Sequence, residues 1–107
     1  MRTSVLGNGS LYIGFDRSCC LREMFWPVVG LANHIAEGKE NRLILWYRGQ
    51  VFDIGGENWM TDAEYGEGMS FHWRFRHRTE PLEIEIDDVV DPQKPLWVRR
   101  IRVIPDA

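Results

Sequence analysis

Three carboxylic acids, Glu83, Glu85 and Asp87, occupy alternate positions in one stretch of the chain, and Asp88 follows them directly. In an extended strand the three alternate side chains point to one face, with about 7 Å between successive members. Inverting hydrolysis of a glycosidic bond needs two carboxyl groups about 6.5–9.5 Å apart, one of them with a raised pKa. Because aliphatic residues fill the positions in between, the pattern is also typical of a strand with one solvated face, and we favour that interpretation.

The histidines and cysteines lack the spacing of a metal site or a disulfide framework. His72 and His77 are five positions apart, so a straight strand places them on opposite faces, where they cannot bind one ion together. Cys19 and Cys20 are neighbours in the sequence, which strains a bond between them and excludes a staple between distant segments. We therefore predict no metal, no cofactor and a reducing compartment. For His34, in a loop, we favour bracing of backbone groups over contact with a ligand.

Five tryptophans are a high number for 107 residues, and indole rings stack well on the apolar faces of sugars. Trp46, Trp73 and Trp97 lie within strand patterns, so we predict that they belong to the core. Trp26 precedes a proline and Trp59 follows two glycines, which favours exposure or docking against a second domain. These two are therefore the aromatic contact candidates.

The elements that position these side chains are predicted to be short antiparallel strands. Asn8 and Gly9 separate two strand-like runs, which favours a hairpin with a type I′ turn, and proline-containing turns separate the longer strands near the end. No convincing long helix is present. We expect an all-β, antiparallel β-sandwich of roughly eight strands. The predicted strands cover residues 4–7, 10–15, 20–26, 43–47, 51–54, 69–78, 82–90 and 96–104.

Two stretches lack a sustained period and are predicted to be irregular. Residues 28–42 form a long loop, with one helical turn around 32–37, and residues 57–68 form a second segment that is rich in acids. By contrast, the run from Leu43 to Tyr47 is continuously apolar, which predicts a strand covered on both faces.

Length, charge and hydropathy exclude several classes of protein. At 107 residues the chain is one domain at most, and its formal charge of −3 argues against a nucleic-acid surface. Arg74 and Arg76 alternate with Phe71, Trp73 and Phe75, which we interpret as an amphipathic strand rather than a base-stacking surface. No apolar run is long enough for a signal peptide or a membrane span, so we expect a cytoplasmic protein without membrane contact.

The first third of the chain carries a specific order of motifs: LGNG at 6–9, GFD at 14–16, FWP at 25–27, VG at 29–30 and then Asn33-His34. This order resembles the amino-terminal β-domain of bacterial and archaeal glycoside hydrolase family 15 proteins, the glucoamylase and glucodextranase group. Trp46, Gly49 and the DVV sequence at 88–90 agree with the same pattern. The resemblance therefore extends over nearly the whole chain.

The resemblance implies a β-sandwich ahead of an (α/α)6 barrel, in which two glutamates act as general acid and general base in the inverting hydrolysis of α-glucosidic bonds. Residues 1–107 would be a single β-sandwich domain or the first part of a larger supersandwich, so the barrel is absent and no catalytic glutamate can be assigned. The expected partners are the barrel of the same chain and an α-glucan or oligosaccharide. The candidates for contact with substrate or barrel are Trp26, Pro27, Asn33, His34 and Trp59.

A free-standing β-sandwich that binds carbohydrate or another protein through its aromatic loops is the alternative. The reading frame beyond residue 107 distinguishes the two, because only the first requires a long helical segment with a pair of glutamates. A partial sandwich would also leave an uncovered apolar face and unpaired edges, which favours association with another copy.

Overall fold

The computed structural model describes residues 4–27, 33–35 and 42–106, whose regular structure consists of nine β-strands. All strand pairs are antiparallel, and no helix occurs among the described residues. The prediction of an all-β antiparallel fold is thus confirmed. The strands are β1 (Ser4–Gly7), β2 (Tyr12–Phe15), β3 (Leu21–Phe25), β4 (Ile44–Tyr47), β5 (Gln50–Asp53), β6 (Trp59–Tyr65), β7 (Ser70–His77), β8 (Leu82–Val90) and β9 (Trp97–Pro105).

The strands form three sheets around one core. β1, β2 and β3 form one sheet in that order, β4 and β5 form a hairpin, and β6 to β9 form a four-stranded meander. Alternate residues of β7 and β8 point to an inner face, where they pack with side chains from the other two sheets. This arrangement is a β-sandwich, as the alternating pattern predicts. The largest fully buried side chains are those of Trp73, Phe15, Phe75, Leu6, Ile13, Leu82, Ile84 and Ile86.

The hairpin between β1 and β2 is confirmed, but its type I′ turn is not. Gly7 pairs with Tyr12, so four residues connect the strands, and of Asn8 and Gly9 only Gly9 has a positive φ, of 95°. The Asn8 side chain instead accepts hydrogen bonds from the backbone N–H groups of Ser10 and Leu11, at 3.0 and 2.9 Å. Asn8 therefore stabilises a longer turn through its side chain.

Asp16 stabilises the corner between β2 and β3. Its Oδ1 atom accepts hydrogen bonds from the N–H groups of Ser18 and Cys20, at 2.9 and 3.1 Å, and Oδ2 accepts one from Arg22 at 2.7 Å. Gly55 packs against this corner, since a Cβ atom added to it would lie 2.5 Å from Cβ of Ser18. Only glycine permits so close an approach, which fixes the β5–β6 connection beside the β2–β3 turn.

The predicted irregular segment 57–68 is wrong in its central part, because Trp59–Tyr65 is strand β6. It pairs with β7 from Trp59 opposite His77 to Tyr65 opposite Phe71. After Trp59 every residue of the strand is exposed, so the sequence shows no alternation that would identify it. For the predicted loop, residues 28–32 and 36–41 lie outside the described residues, and with them positions 32, 36 and 37 of the helical turn predicted around 32–37, while residues 33–35 are not helical.

The hairpin of β4 and β5 is covered on one face only, which corrects the prediction for Leu43 to Tyr47. Leu45 and Phe52 face the core, whereas Trp46 is 71 % exposed, and Ile44 and Val51 beside it are exposed as well. A two-stranded hairpin packed on the sandwich by one side leaves its other side in solvent. The core assignment of Trp46 is therefore wrong, while Trp73 is buried and Trp97 packs against the core.

Candidate functional site

Trp26 stands at the end of β3, and its indole is 49 % exposed, as predicted. A cis peptide bond joins it to Pro27, which is also exposed. His34 crosses back over this strand end: its main-chain N–H donates to the carbonyl oxygen of Met24 at 2.8 Å, and its ring Nε2 lies 3.0 Å from the carbonyl oxygen of Trp26. A carbonyl oxygen only accepts, so Nε2 carries the proton and the bracing role expected for His34 is confirmed.

Asn33 holds the same loop against β3 through three hydrogen bonds. Its Oδ1 atom accepts from the N–H groups of Met24 and Ile35, at 2.9 and 3.1 Å. Its Nδ2 atom donates to the carbonyl oxygen of Arg22 at 3.1 Å. The amide thus imitates a neighbouring strand and fixes the position of His34 relative to Trp26.

These residues shape one side of an apolar cleft of about 380 Å³, which we call the Trp26 cleft and which is lined by Leu11, Met24, Trp26, His34 and Pro95. In the part of the chain that the structure describes, the Nδ1 atom of His34 has no hydrogen-bond partner. In the neutral ring with its proton on Nε2, Nδ1 is an acceptor. The cleft therefore combines an exposed indole, apolar walls and one polar atom, a composition typical of small-ligand sites.

The far wall of the cleft comes from residues that the sequence did not single out. Pro95 belongs to the β8–β9 loop, and Asn8 binds that loop through its Nδ2 atom, which donates to the carbonyl oxygens of Asp91 and Lys94 at 2.7 Å each. Asp91 in turn accepts from the N–H groups of Gln93 and Lys94, which lowers the pKa of its carboxyl. A side chain of the first hairpin thus positions a loop more than 80 residues away in the sequence.

Trp59 takes no part in the cleft, and its predicted exposure is wrong. Its side chain is 3 % exposed and packs edge-on against Phe52, Phe75 and His77. Its indole N–H donates to the carbonyl oxygen of Asp53 at 2.7 Å. β6 begins at this residue, and its first position faces inward, so Trp59 lies in the core.

The outer face of the four-stranded sheet carries Glu83, Glu85 and Asp87, as the alternation predicts. The Arg102 guanidinium donates to Glu85, and Arg74 lies 3.5 Å from the same carboxylate. This pairing, chiefly the hydrogen bond from Arg102, lowers the pKa of Glu85. A general acid needs the opposite shift, so this carboxyl is unsuited to protonating a leaving group.

Asp87, like Glu85, is paired with basic side chains. His72 contacts it through Nδ1 at 2.6 Å, and Arg100 donates to it at 2.8 Å. These two hydrogen bonds, that of His72 first, lower the pKa of Asp87. His77 packs on the core side of the same strand, so the prediction that His72 and His77 lie on opposite faces is confirmed.

Acid should weaken the fold through these two carboxyls. Each has a lower pKa when folded than when unfolded, so its contribution to stability is full above about pH 4 and is lost as the pH falls through the folded-state value. We expect the free energy of unfolding, measured by urea titration, to fall as the pH is lowered below about 4. Asp87→Asn should reduce this fall, and an equally steep fall in that variant would contradict the assignment.

Asp88 points the other way, into the core, and is 0 % exposed. It accepts hydrogen bonds from the indole N–H groups of Trp73 and Trp97, both at 2.9 Å, and from Nε and Nη2 of Arg99, at 2.7 and 3.0 Å. Arg99 also donates to the carbonyl oxygen of Cys19 at 2.9 Å, which ties the two layers together. Asp87 and Asp88 therefore lie on opposite faces and cannot act as a catalytic pair.

Burial raises the pKa of the Cys19 thiol to about 12, so the group stays protonated and unreactive. Neither Cys19 nor Cys20 forms a disulfide bond in the described part of the chain. Within residues 4–27, 33–35 and 42–106, no three side chains of histidine, cysteine, aspartate or glutamate are grouped to hold a metal ion. The described part of the chain also has no helix of the length and hydrophobicity needed to cross a bilayer.

Comparison with known proteins gives no assignment: no protein-family model, no curated protein and no solved structure matches the chain.

Proposed function

We propose that the chain is a non-catalytic β-sandwich domain of a cytoplasmic, glucoamylase-type glycoside hydrolase. Its role is to pack against and support an (α/α)6 barrel that hydrolyses α-glucosidic bonds. One observation carries the proposal: the motif residues behind the resemblance, Trp26, Asn33 and His34, are the ones that build and brace the Trp26 cleft. A fixed loop with an exposed aromatic ring is a suitable surface for a second domain or for its substrate.

The carboxyl groups of this domain support a non-catalytic role. Glu85 and Asp87 are ion-paired and have lowered pKa values, and Asp88 is buried and hydrogen-bonded to Trp73, Trp97 and Arg99. Hydrolysis of a glycosidic bond requires an acid with a raised pKa facing a sugar. The chemistry is therefore assigned to glutamates of the barrel, and the domain contributes position and contact.

The reading frame in its native length provides the test. We expect it to continue past residue 107 into a helical segment, and the full product to release glucose with inverted anomeric configuration from maltooligosaccharides. Residues 1–107 alone should release none. Trp26→Ala in the full product should lower kcat/KM by about tenfold, because a shifted β-domain would misalign the substrate and the catalytic groups of the barrel. Val51→Ala is the control and should leave kcat/KM unchanged, since Val51 lies on the exposed side of the β4–β5 hairpin.

Two outcomes would contradict the proposal. One is a reading frame that stops near residue 107, and the other is hydrolysis by residues 1–107 alone. Either would remove the need for a barrel.

A free-standing carbohydrate-binding module is the second candidate, favoured by the volume of the Trp26 cleft and by Nδ1 of His34, which has no hydrogen-bond partner among the described residues. One sugar ring could stack on the indole while a hydroxyl donates to Nδ1. Titration of residues 1–107 with maltotriose, followed by tryptophan fluorescence, distinguishes the candidates. Saturable binding that Trp26→Ala abolishes and Trp46→Ala leaves intact would favour the module.

A further inference from the structure

We propose that strand β9 is a docking edge for strand β6 of a second copy of this chain, so that the four-stranded sheet continues from one copy into the next. In the described part of the chain, β6 and β9 are the two edges of that sheet, and each is paired on one side only. An edge strand has unpaired N–H and C=O groups that another strand can satisfy. The β9-to-β6 contact does not require the proposed barrel.

The outer face of the sheet is ordered by charge, strand by strand. The charged side chains there are acidic on β6, basic on β7, acidic on β8 and basic on β9. Opposite charges on neighbouring strands stabilise a sheet and like charges destabilise it, so a strand added beside β9 should be acidic. The set comprises Asp62 and Glu64 on β6, His72, Arg74 and Arg76 on β7, Glu83, Glu85 and Asp87 on β8, and Arg100 and Arg102 on β9.

The strand register arranges these charges in straight rows. One row runs Asp62, Arg74, Glu85, Arg102, and the next runs Glu64, His72, Asp87, Arg100. Continuing both rows past β9 places Asp62 of the second copy beside Arg102, and Glu64 of the second copy beside Arg100. Antiparallel order is kept as well, because β9 and β6 run in opposite directions in the meander.

The same register matches the apolar side chains. It places Ile104 opposite Met60 on the outer face, and Ile101 opposite Ala63 on the inner face. Ile101 and Met60 are both exposed in the single chain, so pairing would cover them. A shift of two residues would instead set Arg102 against Met60, losing one row of charge pairs, and one register is therefore preferred.

Charge also decides between the possible symmetries. Two β9 edges would bring Arg100 of one copy beside Arg102 of the other, and two β6 edges would bring Asp62 beside Glu64. Like charges opposed across a sheet are destabilising, so both of these two-fold pairings are disfavoured. The β9-to-β6 contact is heterologous, and each product keeps one free β9 and one free β6, so assembly proceeds head to tail.

Sedimentation velocity on the 107-residue chain at rising concentration tests the contact. We expect the weight-average mass to rise to about twice the monomer value or more, and to fall back as salt is added. Two edge variants, Arg100→Glu with Arg102→Glu and Asp62→Lys with Glu64→Lys, should each be monomeric. Mixed in equal amounts they should associate again, because each edge then meets an edge of opposite charge.

Arg76→Glu is the matched control, since it reverses a charge on the same face but on an internal strand, and it should associate like the natural chain. Circular dichroism verifies that each variant is folded. If the β9 variant fails to fold because Asp87 and Glu85 lose their partners, the β6 variant still decides, because in it Arg74 keeps Glu83 and Glu85 as partners and Asp87 keeps His72 and Arg100. Added in excess, the β6 variant should also limit the natural chain to short oligomers. Its β9 edge can pair with a natural β6 edge, but its own β6 edge cannot pair with β9.

A natural chain that remains monomeric at several hundred micromolar overturns the proposal. So does association that persists in the β6 variant, since another surface would then be responsible. Failure of the mixed variants to associate while both are folded would exclude the β9-to-β6 register.

Discussion

Replacing Asp88 with asparagine is expected to lower the free energy of unfolding by about 3–5 kcal/mol, the usual cost of removing one partner from a buried ion pair. The carboxylate accepts four hydrogen bonds, two from indole N–H groups and two from Arg99. Asparagine offers one acceptor atom and turns an NH2 group towards these donors. Arg99 would keep its charge beside the carbonyl oxygen of Cys19 and the faces of Phe15 and Trp97, but it would lose its carboxylate partner.

Chemical denaturation in urea, followed by circular dichroism, measures this loss. Asp87→Asn is the matched control, since it makes the same substitution one residue earlier in β8 on the solvated face, where exposed ion pairs contribute at most about 1 kcal/mol. Asp88→Asn should also release Cys19 to thiol reagents sooner, because the contact of Arg99 with the β2–β3 turn is weakened. Equal losses in the two variants would show that the buried network is not what joins the layers.

The sequence indicates that Asp88 is buried, but not which residues bind it. Alternation places Asp88 on the same face as Ile84, Ile86 and Val90, and a lone acid in such a row must find buried partners. The identity of those partners depends on strand register, which pairs Asp88 with Arg99 and brings Trp73 alongside. Register between strands is set by turns and core packing together, and residue patterns in one strand do not reveal it.

The Trp26 cleft, too, could be predicted from the sequence only in part. Trp26, Asn33 and His34 are close in the chain, so their motif could be identified as one loop from the sequence. Leu11 and Pro95 could not be assigned to the cleft from the sequence. The β8–β9 loop is held there by two hydrogen bonds from Asn8, and the sequence indicated only a turn at that residue. Contacts between segments this far apart depend on the complete fold.

Two tryptophans show where local pattern misled. Trp46 lies in a continuous apolar run and is exposed, whereas Trp59 lies between glycines and acids and is buried. Burial of a strand face depends on what packs over it: the β4–β5 hairpin has only one covered side, and the first residue of β6 points at Phe52. Hydrophobicity of a segment is a poor guide when its neighbours in space are unknown.

Trp73→Ala should be as damaging as the loss of Asp88, whereas Trp46→Ala should be nearly neutral. Trp73 is 1 % exposed, stacks on Phe75 with ring centroids 5.9 Å apart, and meets Phe15 edge-on at 6.1 Å. Truncation leaves a large cavity at the centre of the sandwich and removes a donor from Asp88, so we expect a loss of about 3–5 kcal/mol. Trp46 has most of its indole in solvent, and its truncation should change stability by about 0.5 kcal/mol or less.

The comparison holds residue type and substitution constant, so the difference between the two urea titrations isolates burial. Trp73→Phe divides the larger effect, because it keeps one aromatic ring in the core and removes the N–H donor to Asp88 together with part of the indole volume. It should cost about 1–3 kcal/mol, the penalty for leaving one buried acceptor lone pair unmet. If Trp46→Ala proved as costly as Trp73→Ala, the exposed side of the β4–β5 hairpin would have to be covered in the folded chain, and the one-sided packing described above would be wrong.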